Sequence, residues 1–501
     1  MVLGEVIMRA AERYGSQPAV AAGKSHLTYA DLLTRSQRLA AAMAGLGIVP
    51  GDRVAILARN GFRYLEVNFA CSLMGAILVP LNIRLSEQEI GHIVAKTQCR
   101  LIFCGSSFHV NGAARTIGWA DELAAGSDCE YELFLATGRL QVSWSKNVTS
   151  DTAQIFFTSG TTGSPKGVCL THGNLAASGL DAMETLNFNS QDAWLHAAPM
   201  FHLVDAFAIW GMTMVGGRHV AVHFEPGTFG SLVETHRITK TSLPPTLLDW
   251  IARTNPRNRH DLSSLDLISY GGSPMQDAIY RRCRTALGCR MLQAYGLTEG
   301  SGFVCHEIAS DNPDPDTVIN TVGKPTKRVE LCLQGNDGRP TPAGEVGEIL
   351  IRGERAFKEY WGDIDATKAA ISDGWYRSGD LAVMDAQDRF RIVGRKKEMI
   401  ITGGENVYPA EVANALLSHP AVAEAAVFGL PSERWGEEVC AVVYIAPDLV
   451  ATAEELTNHC RKVIGSYKAP KLISIWNSPL PKTGAGKIAT AAIRDTVREG
   501  L

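Results

Sequence analysis

Apolar residues recur every three to four positions over Leu3–Tyr14 and again over Tyr29–Gly45, which predicts two amphipathic helices. Thr28-Tyr-Ala-Asp31 opens the second, a hydroxyl and a carboxylate spaced to cap a first turn. Arg53–Leu57 and Ile77–Pro80 are apolar runs of strand length, separated by a helix-like stretch at Tyr64–Met74. That order argues for parallel-type sheets covered by helices. The alternation returns through Trp194–Pro199, Val204–Met214, His219–Phe224 and Ser242–Leu243. From Val329 to Arg352 the texture changes to short alternating strands with turns at Asn336-Asp-Gly338 and Thr341-Pro-Ala-Gly344. Another shift follows the charged segment Gly394-Arg-Lys-Lys-Glu398, where Glu411–Leu417, Val422–Gly429, Val439–Ile445 and Glu454–Ile464 make a compact α+β pattern. The expected fold is α/β. A large N-terminal domain, residues 1–394, would end in a β-rich subdomain at about 325–394, and a small α+β domain would occupy 395–501.

Composition narrows the class. The 501 residues carry 46% hydrophobic and 20% charged side chains, ordinary for a globular protein. A net charge of −4 gives no footprint for nucleic acid or an anionic membrane. No apolar run approaches the roughly 18 residues of a spanning helix, and Cys71–Pro80 reads as core. Glu5 and the lack of an apolar stretch near the N-terminus argue against a cleaved signal. Eleven scattered cysteines without a Cys-x-x-Cys pair suggest reduced thiols and a cytoplasmic protein.

The densest chemistry lies at Thr158-Ser-Gly-Thr-Thr-Gly-Ser-Pro-Lys-Gly167, between the apolar runs Gln154–Phe157 and Val168–Leu170. Gly160, Gly163 and Gly167 would let backbone N–H groups approach an anion closely. Ser159, Thr161 and Thr162 can donate to phosphate oxygens, and Lys166 adds a mobile charge. A Walker A loop needs Gly-Lys-Ser/Thr opening a helix, whereas here Gly167 and an extended run follow the lysine. It reads as a phosphate loop of another kind.

Six further motifs follow in order: Pro199-Met-Phe-His202, Gly271-Gly-Ser-Pro-Met275, Tyr295-Gly-Leu-Thr-Glu299, Tyr376-Arg-Ser-Gly-Asp380, Gly394 to Asn406, and Pro481-Lys-Thr-Gly-Ala-Gly-Lys487. Each alone is weak. Together they resemble the adenylate-forming superfamily of acyl- and aryl-CoA synthetases, firefly-type luciferases and peptide-synthetase adenylation domains, over essentially the whole chain. The resemblance implies an ATP-dependent carboxylate–CoA ligase that makes an acyl-AMP and then an acyl-CoA, releasing AMP and pyrophosphate. ATP, Mg²⁺ and coenzyme A are the implied cofactor and co-substrates.

Both reactants of the first step are anions, so such a site must offset repulsion and the charge of the transition state. By resemblance, Thr158 to Gly163 and Lys166 hold phosphates, and the backbone of Gly271, Gly272 and Ser273 lies beside adenine. Tyr295 stacks the base, Thr298 reaches the α-phosphate, and Glu299 ligates Mg²⁺, which takes few carboxylates plus phosphate oxygens. Asp380 addresses the ribose, Arg395 the ribose or a phosphate, and Lys487 bridges carboxylate and α-phosphate during adenylation. The C-terminal domain is implied to be mobile, with Lys397 as hinge. After rotation, Gly403, Gly404 and Glu405 would line the pantetheine tunnel, although a simple hairpin turn remains open for the two glycines. Trp435, Tyr467, Lys468 and Lys471 resemble CoA-holding positions.

The acyl pocket is less legible. His202 would close its carboxylate end, with Val204, Asp205, Ala208, Ala294, Ser301 and Phe303 lining it. Asp205 stands where many relatives have glycine: facing the pocket it would pair with a polar substituent, facing away it would be a solvated charge. The substrate is expected to be an aromatic, cyclic or medium-length carboxylic acid. Alternatives are a stand-alone acyl-AMP ligase charging a carrier protein and a non-catalytic acyl or nucleotide sensor. A homodimer is possible.

Overall fold

A computed structural model describes the chain except residues 23–24, 106–107, 109–114, 121–128, 140–146, 159–164, 223, 274, 276, 309–320, 448, 483–487 and 500–501. Two compact units result: Met1–Leu331 with Ile351–Tyr376, and Cys332–Leu350 with Arg377–Leu501.

The first unit carries two mixed sheets. In the seven-stranded sheet, Ile77–Pro80, Arg53–Leu57, Leu101–Gly105 and Arg115–Trp119 run parallel, and Thr152–Thr158 joins them beside Ile77–Pro80. Lys166–Thr171 then adds antiparallel and is followed by Glu359–Tyr360 at the edge. The nine-stranded sheet is parallel through Arg218–Val220, Ala193–Leu195, Lys240–Leu243, Leu267–Gly271 and Arg290–Leu297. Gly302–Ile308 returns antiparallel. The central strands are buried on both faces, which is why they read as continuous apolar runs.

Helices cover these sheets. Leu3–Tyr14 and Tyr29–Gly45 form where the periodicity places them. Thr28 and Asp31 make a reciprocal capping box, satisfying two amide N–H groups that a helix start leaves without partners. Phe62–Met74 is buried along its whole length, and Leu203–Val215 begins at His202. The strands expected at Trp194–Pro199 and His219–Phe224 are shorter, Ala193–Leu195 and Arg218–Val220.

In the second unit, Gly436–Ile445 is the sheet centre. Val422–Ser432 pairs with it antiparallel over its full length and Leu472–Trp476 parallel, with Ile400–Thr402 and Glu405–Val407 beyond. Pro409–Leu417 and Ala453–Ile464 bury one face through Val412, Leu416, Leu456 and Cys460, and Thr490–Glu499 covers the other through Ile493. From Asp380 onward, the strand Trp375–Met384 pairs antiparallel with Phe390–Arg395 as a hairpin.

Candidate active site

Thr158 and Lys166 face each other as the last antiparallel pair of their strands. A β ladder therefore closes the phosphate-loop segment from both sides. Ser159, Gly160, Thr161, Thr162 and Gly163 lie outside the described residues. Lys166 Nζ stands 4.8 Å from the centre of the Tyr360 ring, a cation over an aromatic face.

Tyr360 links this lysine to the next motif, because its hydroxyl donates to Glu299 Oε1 at 2.9 Å. Burial raises the Tyr360 pKa, and the negative charge of Glu299 raises it further, so the phenol remains a donor. Tyr376 is raised by the same two causes. Phe357 packs on both rings, with centroids 4.8 Å from Tyr360 and 5.2 Å from Tyr376. Its N–H donates to the Glu299 carbonyl at 2.8 Å.

Thr298–Gly300 is one turn of 3₁₀ helix, following the strand that carries Ala294 and Tyr295. Both of those residues are half-buried, as are Thr298 and Glu299. Ser301, in left-handed backbone at φ 57°, ends the turn. Its carbonyl accepts Ser178 Oγ at 2.6 Å and Arg355 Nη2 at 3.2 Å, while its own hydroxyl donates to the Arg355 carbonyl at 2.7 Å. Arg355 is itself buried against Asp181 at 3.0 Å. Ser301, expected in the acyl pocket, therefore braces the Glu299 turn. Its hydroxyl is committed to the backbone.

Gly271 ends its strand where a Cβ would stand 2.2 Å from the Ala294 carbonyl, so no side chain fits. Gly272 turns the chain at φ 80° and is exposed, and Ser273 is half-buried. His202 is half-buried at the start of Leu203–Val215, and Val204 is half-buried in its first turn. Ala208 is fully buried among Phe188, Trp194, Phe207 and Phe303. Edge-to-face contacts run Phe188–Trp194–Phe207–Phe303 with centroids 5.1–5.7 Å apart.

Asp205 takes neither of its expected positions. It is fully buried, neither solvated nor offering an open carboxylate, and holds Trp194 Nε1 at 3.1 Å and His196 Nδ1 at 2.5 Å. On this helix face the carboxylate meets an indole N–H and an imidazole from the adjoining strand and its end, and they hold it in the core.

In the second unit Asp380 and Arg395 are cross-strand partners, with Arg395 Nε 2.9 Å from Asp380 Oδ1. Asp380 is buried, and burial lowers the pKa of nearby Lys397. Gly403 and Gly404 form the two-residue turn of the Ile400–Thr402/Glu405–Val407 hairpin, with φ 59° and 84°. Two successive positive φ values are what such a turn demands, and glycine meets them without strain. A Cβ on Gly403 would approach Trp435 Cε3 to 3.1 Å. Glu405 and Tyr467 are exposed, as is Trp435 beside the Arg434 guanidinium. Lys471 is exposed, whereas Lys468 donates to Glu411 at 2.6 Å. Burial would lower the Lys468 pKa, but that bond outweighs it and the net shift is upward. Lys487 lies outside the described residues, and Lys482 and Ile488 bridge antiparallel on either side of that segment.

Tyr360, Arg355 and His196 carry no signal in the sequence. Each acts through a partner more than fifty positions away or is buried just past the end of a core strand, so no local motif marks it.

Residues 7–361 match the family model of AMP-binding enzymes and 411–487 that of the AMP-binding enzyme C-terminal domain. The chain is 37% identical to a feruloyl-CoA synthase of Amycolatopsis sp, covering 98% of each. It is 33% identical to a fatty acid–[acyl-carrier-protein] ligase of Streptomyces coeruleorubidus, covering 97% of the chain and 94% of the relative. Among solved structures, o-succinylbenzoate CoA synthetase from Bacillus subtilis with the acyl-adenylate OSB-AMP aligns at TM-score 0.85 and 28% identity, covering 98% of each. The same enzyme with ATP and magnesium ion aligns at 0.85 and 28%, over 98% and 99%.

Proposed function

The chain belongs to the AMP-binding enzyme family and is an ATP-dependent, AMP-forming carboxylate–CoA ligase, and we propose that its acid is aromatic. The observation that carries this reading is the aromatic ladder ending at Phe207 and Phe303. It is a buried apolar cluster with Ala208 packed in it, and the half-buried Ala294, next to Tyr295 on its strand, packs against it. A rigid aromatic cluster behind Ala294 suits a ring better than a flexible chain, which would lose more rotational freedom on binding. Ferulate and o-succinylbenzoate, in the names of two relatives, are aromatic acids.

The reaction has two steps. A carboxylate oxygen attacks the α-phosphorus of ATP, the bond to pyrophosphate breaks, and an acyl-AMP forms. The CoA sulfur then attacks the acyl carbon and AMP leaves. For the first step the segment Thr158–Gly163 with Lys166 would hold the phosphates, Tyr295 and Gly271–Ser273 the adenine, and Thr298 the α-phosphate. Asp380 and Arg395 would hold the ribose, His202 the acid, and Lys487 the developing charge. For the second, Gly403, Gly404 and Glu405 would border the thiol's path, with Trp435, Tyr467 and Lys471 toward CoA. A boundary near residue 394 with Lys397 as hinge would let one small domain serve both steps.

The Glu299 carboxylate, held by Tyr360 in the turn that also carries Thr298, suits Mg²⁺, which brings phosphate oxygens as its other ligands. Bound there, the ion neutralises phosphate charge. The Lys468 ammonium is already paired with Glu411, so a CoA phosphate would have to compete with that carboxylate for it.

Pyrophosphate release over matched aryl and linear acids, with and without CoA, tests the reading. A tenfold or greater preference for linear acids, a discrimination worth about 1.4 kcal/mol, would overturn it. A second acceptor is favoured by the carrier-protein ligase among the relatives, and replacing CoA by a holo carrier protein in the same assay reads it. Among the described residues no helix is long and apolar enough to cross a membrane. Eleven free cysteines support a reducing, cytoplasmic setting. A homodimer is read directly by light scattering.

A further inference from the structure

Beneath the loop that carries His202 lies a line of buried polar side chains. Asp205 Oδ2 is 2.5 Å from His196 Nδ1, His196 Nε2 is 3.0 Å from His219 Nδ1, and His219 Nε2 is 3.1 Å from Thr213 Oγ1. All four residues are 0% exposed, as is Trp194, whose indole N–H donates to Asp205 Oδ1. Tyr64, on the helix Phe62–Met74, is buried nearby, and burial and then the Asp205 charge raise its pKa.

The protons of this line can be counted. Thr213 donates its one hydroxyl proton to the Ile209 carbonyl at 2.6 Å, so it must accept from His219 Nε2. Burial, and then the charge of His196, holds His219 well below its ordinary pKa, so that ring is neutral and its Nδ1 accepts. The shared proton therefore sits on His196 Nε2. With Asp205 ionised both its oxygens only accept, Oδ1 from Trp194 and Oδ2 from His196, so His196 Nδ1 donates. His196 then carries a proton on both nitrogens.

The loop above is tied at the same points. Asn60 Nδ2 donates to the carbonyls of His196 and Ala198 at 2.8 Å each, and Asn60 Oδ1 accepts the Met200 N–H at 2.8 Å. His202 N–H closes a turn on the Pro199 carbonyl at 3.0 Å, and the Asp205 N–H reaches the His202 carbonyl at 3.2 Å.

We propose that Asp205 and His196 form a buried carboxylate–imidazolium pair that positions the Pro199–His202 loop and, with it, the acid-binding end of the active site. The functional half of this statement rests on the proposed role of His202. Two buried charges that compensate each other are tolerated, whereas either alone is not, so the pair locks strand end, loop and helix into one arrangement.

Nitrogen NMR of the full-length protein with ¹⁵N-labelled histidine tests the proton count at neutral pH. His196, assigned by the signal missing in His196→Gln, should show both nitrogens protonated, and His219 one. In ATP–pyrophosphate exchange, Asp205→Asn should raise KM for the acid about tenfold while KM for ATP stays within about twofold, the mark of a lost acid-side interaction. The double variant Asp205→Asn/His196→Gln, a neutral amide pair, should recover part of that loss. A neutral His196 in the wild-type spectrum, or acid and ATP constants moving together, overturns the proposal. Should Asp205→Asn fail to fold, the wild-type spectrum and the kinetics of His196→Gln decide by the same criteria. His202→Ala separates the two readings: an unchanged acid KM there would sink the role of His202, while the imidazolium signal would stand.

Discussion

Tyr360 holds Glu299 by one oxygen, hydroxyl to Oε1 at 2.9 Å, across 61 positions of sequence. The bond fixes the carboxylate's rotamer from the strand edge beside Lys166, whose ammonium lies over the same ring. If Glu299 ligates Mg²⁺ as proposed, a carboxylate held from behind is aimed before the ion arrives, and such outer partners typically matter 10–100-fold. Tyr360→Phe keeps the ring and removes the hydroxyl. We expect adenylation to fall by about that factor, with a higher Mg²⁺ concentration needed for half-maximal rate. A Mg²⁺ titration of ATP–pyrophosphate exchange checks it. An unshifted curve would leave Tyr360 as packing only.

Such a pairing is out of reach of sequence reading. Tyr360 pairs with Val168, and Val168 with Phe156, so the tyrosine's place depends on strand register rather than on a local motif. Elements with strong periodicity are legible to their ends: Leu3–Tyr14 by its apolar face alone, and Tyr29–Gly45 because cap and apolar face agree. The apolar run Trp194–Pro199 outlasts its strand. His196 still bonds to Val220, but Pro199 lacks an N–H, and Asn60 takes the carbonyls beyond. Asp205 departs from its expectation because burial, not spacing, decides what a lone carboxylate on an apolar helix does. The motif residues are legible as chemistry, yet the braces behind them, Arg355 and Tyr360, are not.

His172 makes stability depend on pH in a defined window. Its Nδ1 accepts the Leu3 N–H at 3.3 Å, and burial lowers its pKa to about 4, with Asp151 opposing that shift. The unfolded chain, near 6.5, binds this proton first, so the folded state loses stability as pH falls from about 6.5 to 4 and no further below that. The full difference is on the order of 3 kcal/mol. Comparing thermal midpoints of wild type and His172→Gln from pH 7 to pH 4 isolates it from the carboxylates. The two curves should converge toward acid, and parallel curves would show that His172 does not titrate there.

Gly404 separates turn geometry from function. At φ 84°, with nothing within 4 Å of where a Cβ would stand, bulk is tolerated there but most side chains strain the backbone. Asparagine accepts left-handed backbone more readily than leucine. Gly404→Asn should therefore keep its thermal midpoint and its ATP–pyrophosphate exchange, while CoA-dependent turnover falls at least tenfold. Gly404→Leu should show the same split with an added stability loss of about 1–2 kcal/mol from the left-handed residue. If Gly404→Asn supports normal CoA turnover, the two glycines are there for the hairpin alone.

Two lysines of one motif offer an internal control for the adenylation step. Lys482 is engaged structurally, its ammonium 2.8 Å from Glu424 and its backbone bridged to Ile488. That bridge joins the described residues on either side of the segment that contains Lys487. If Lys487 meets charge that develops only in the adenylation transition state, Lys487→Ala should slow that step by roughly 10²–10³, as for a lost oxyanion donor. Thioester formation from supplied acyl-AMP should stay within about threefold, since no phosphate charge then builds up at that carboxylate. Lys482→Ala should change neither half-reaction by more than about threefold, the range of an exposed ion pair. Half-reactions measured separately by pyrophosphate exchange and by CoA-thioester formation decide the matter, and equal losses in both for Lys487→Ala would remove it from adenylation and make it a residue of the fold.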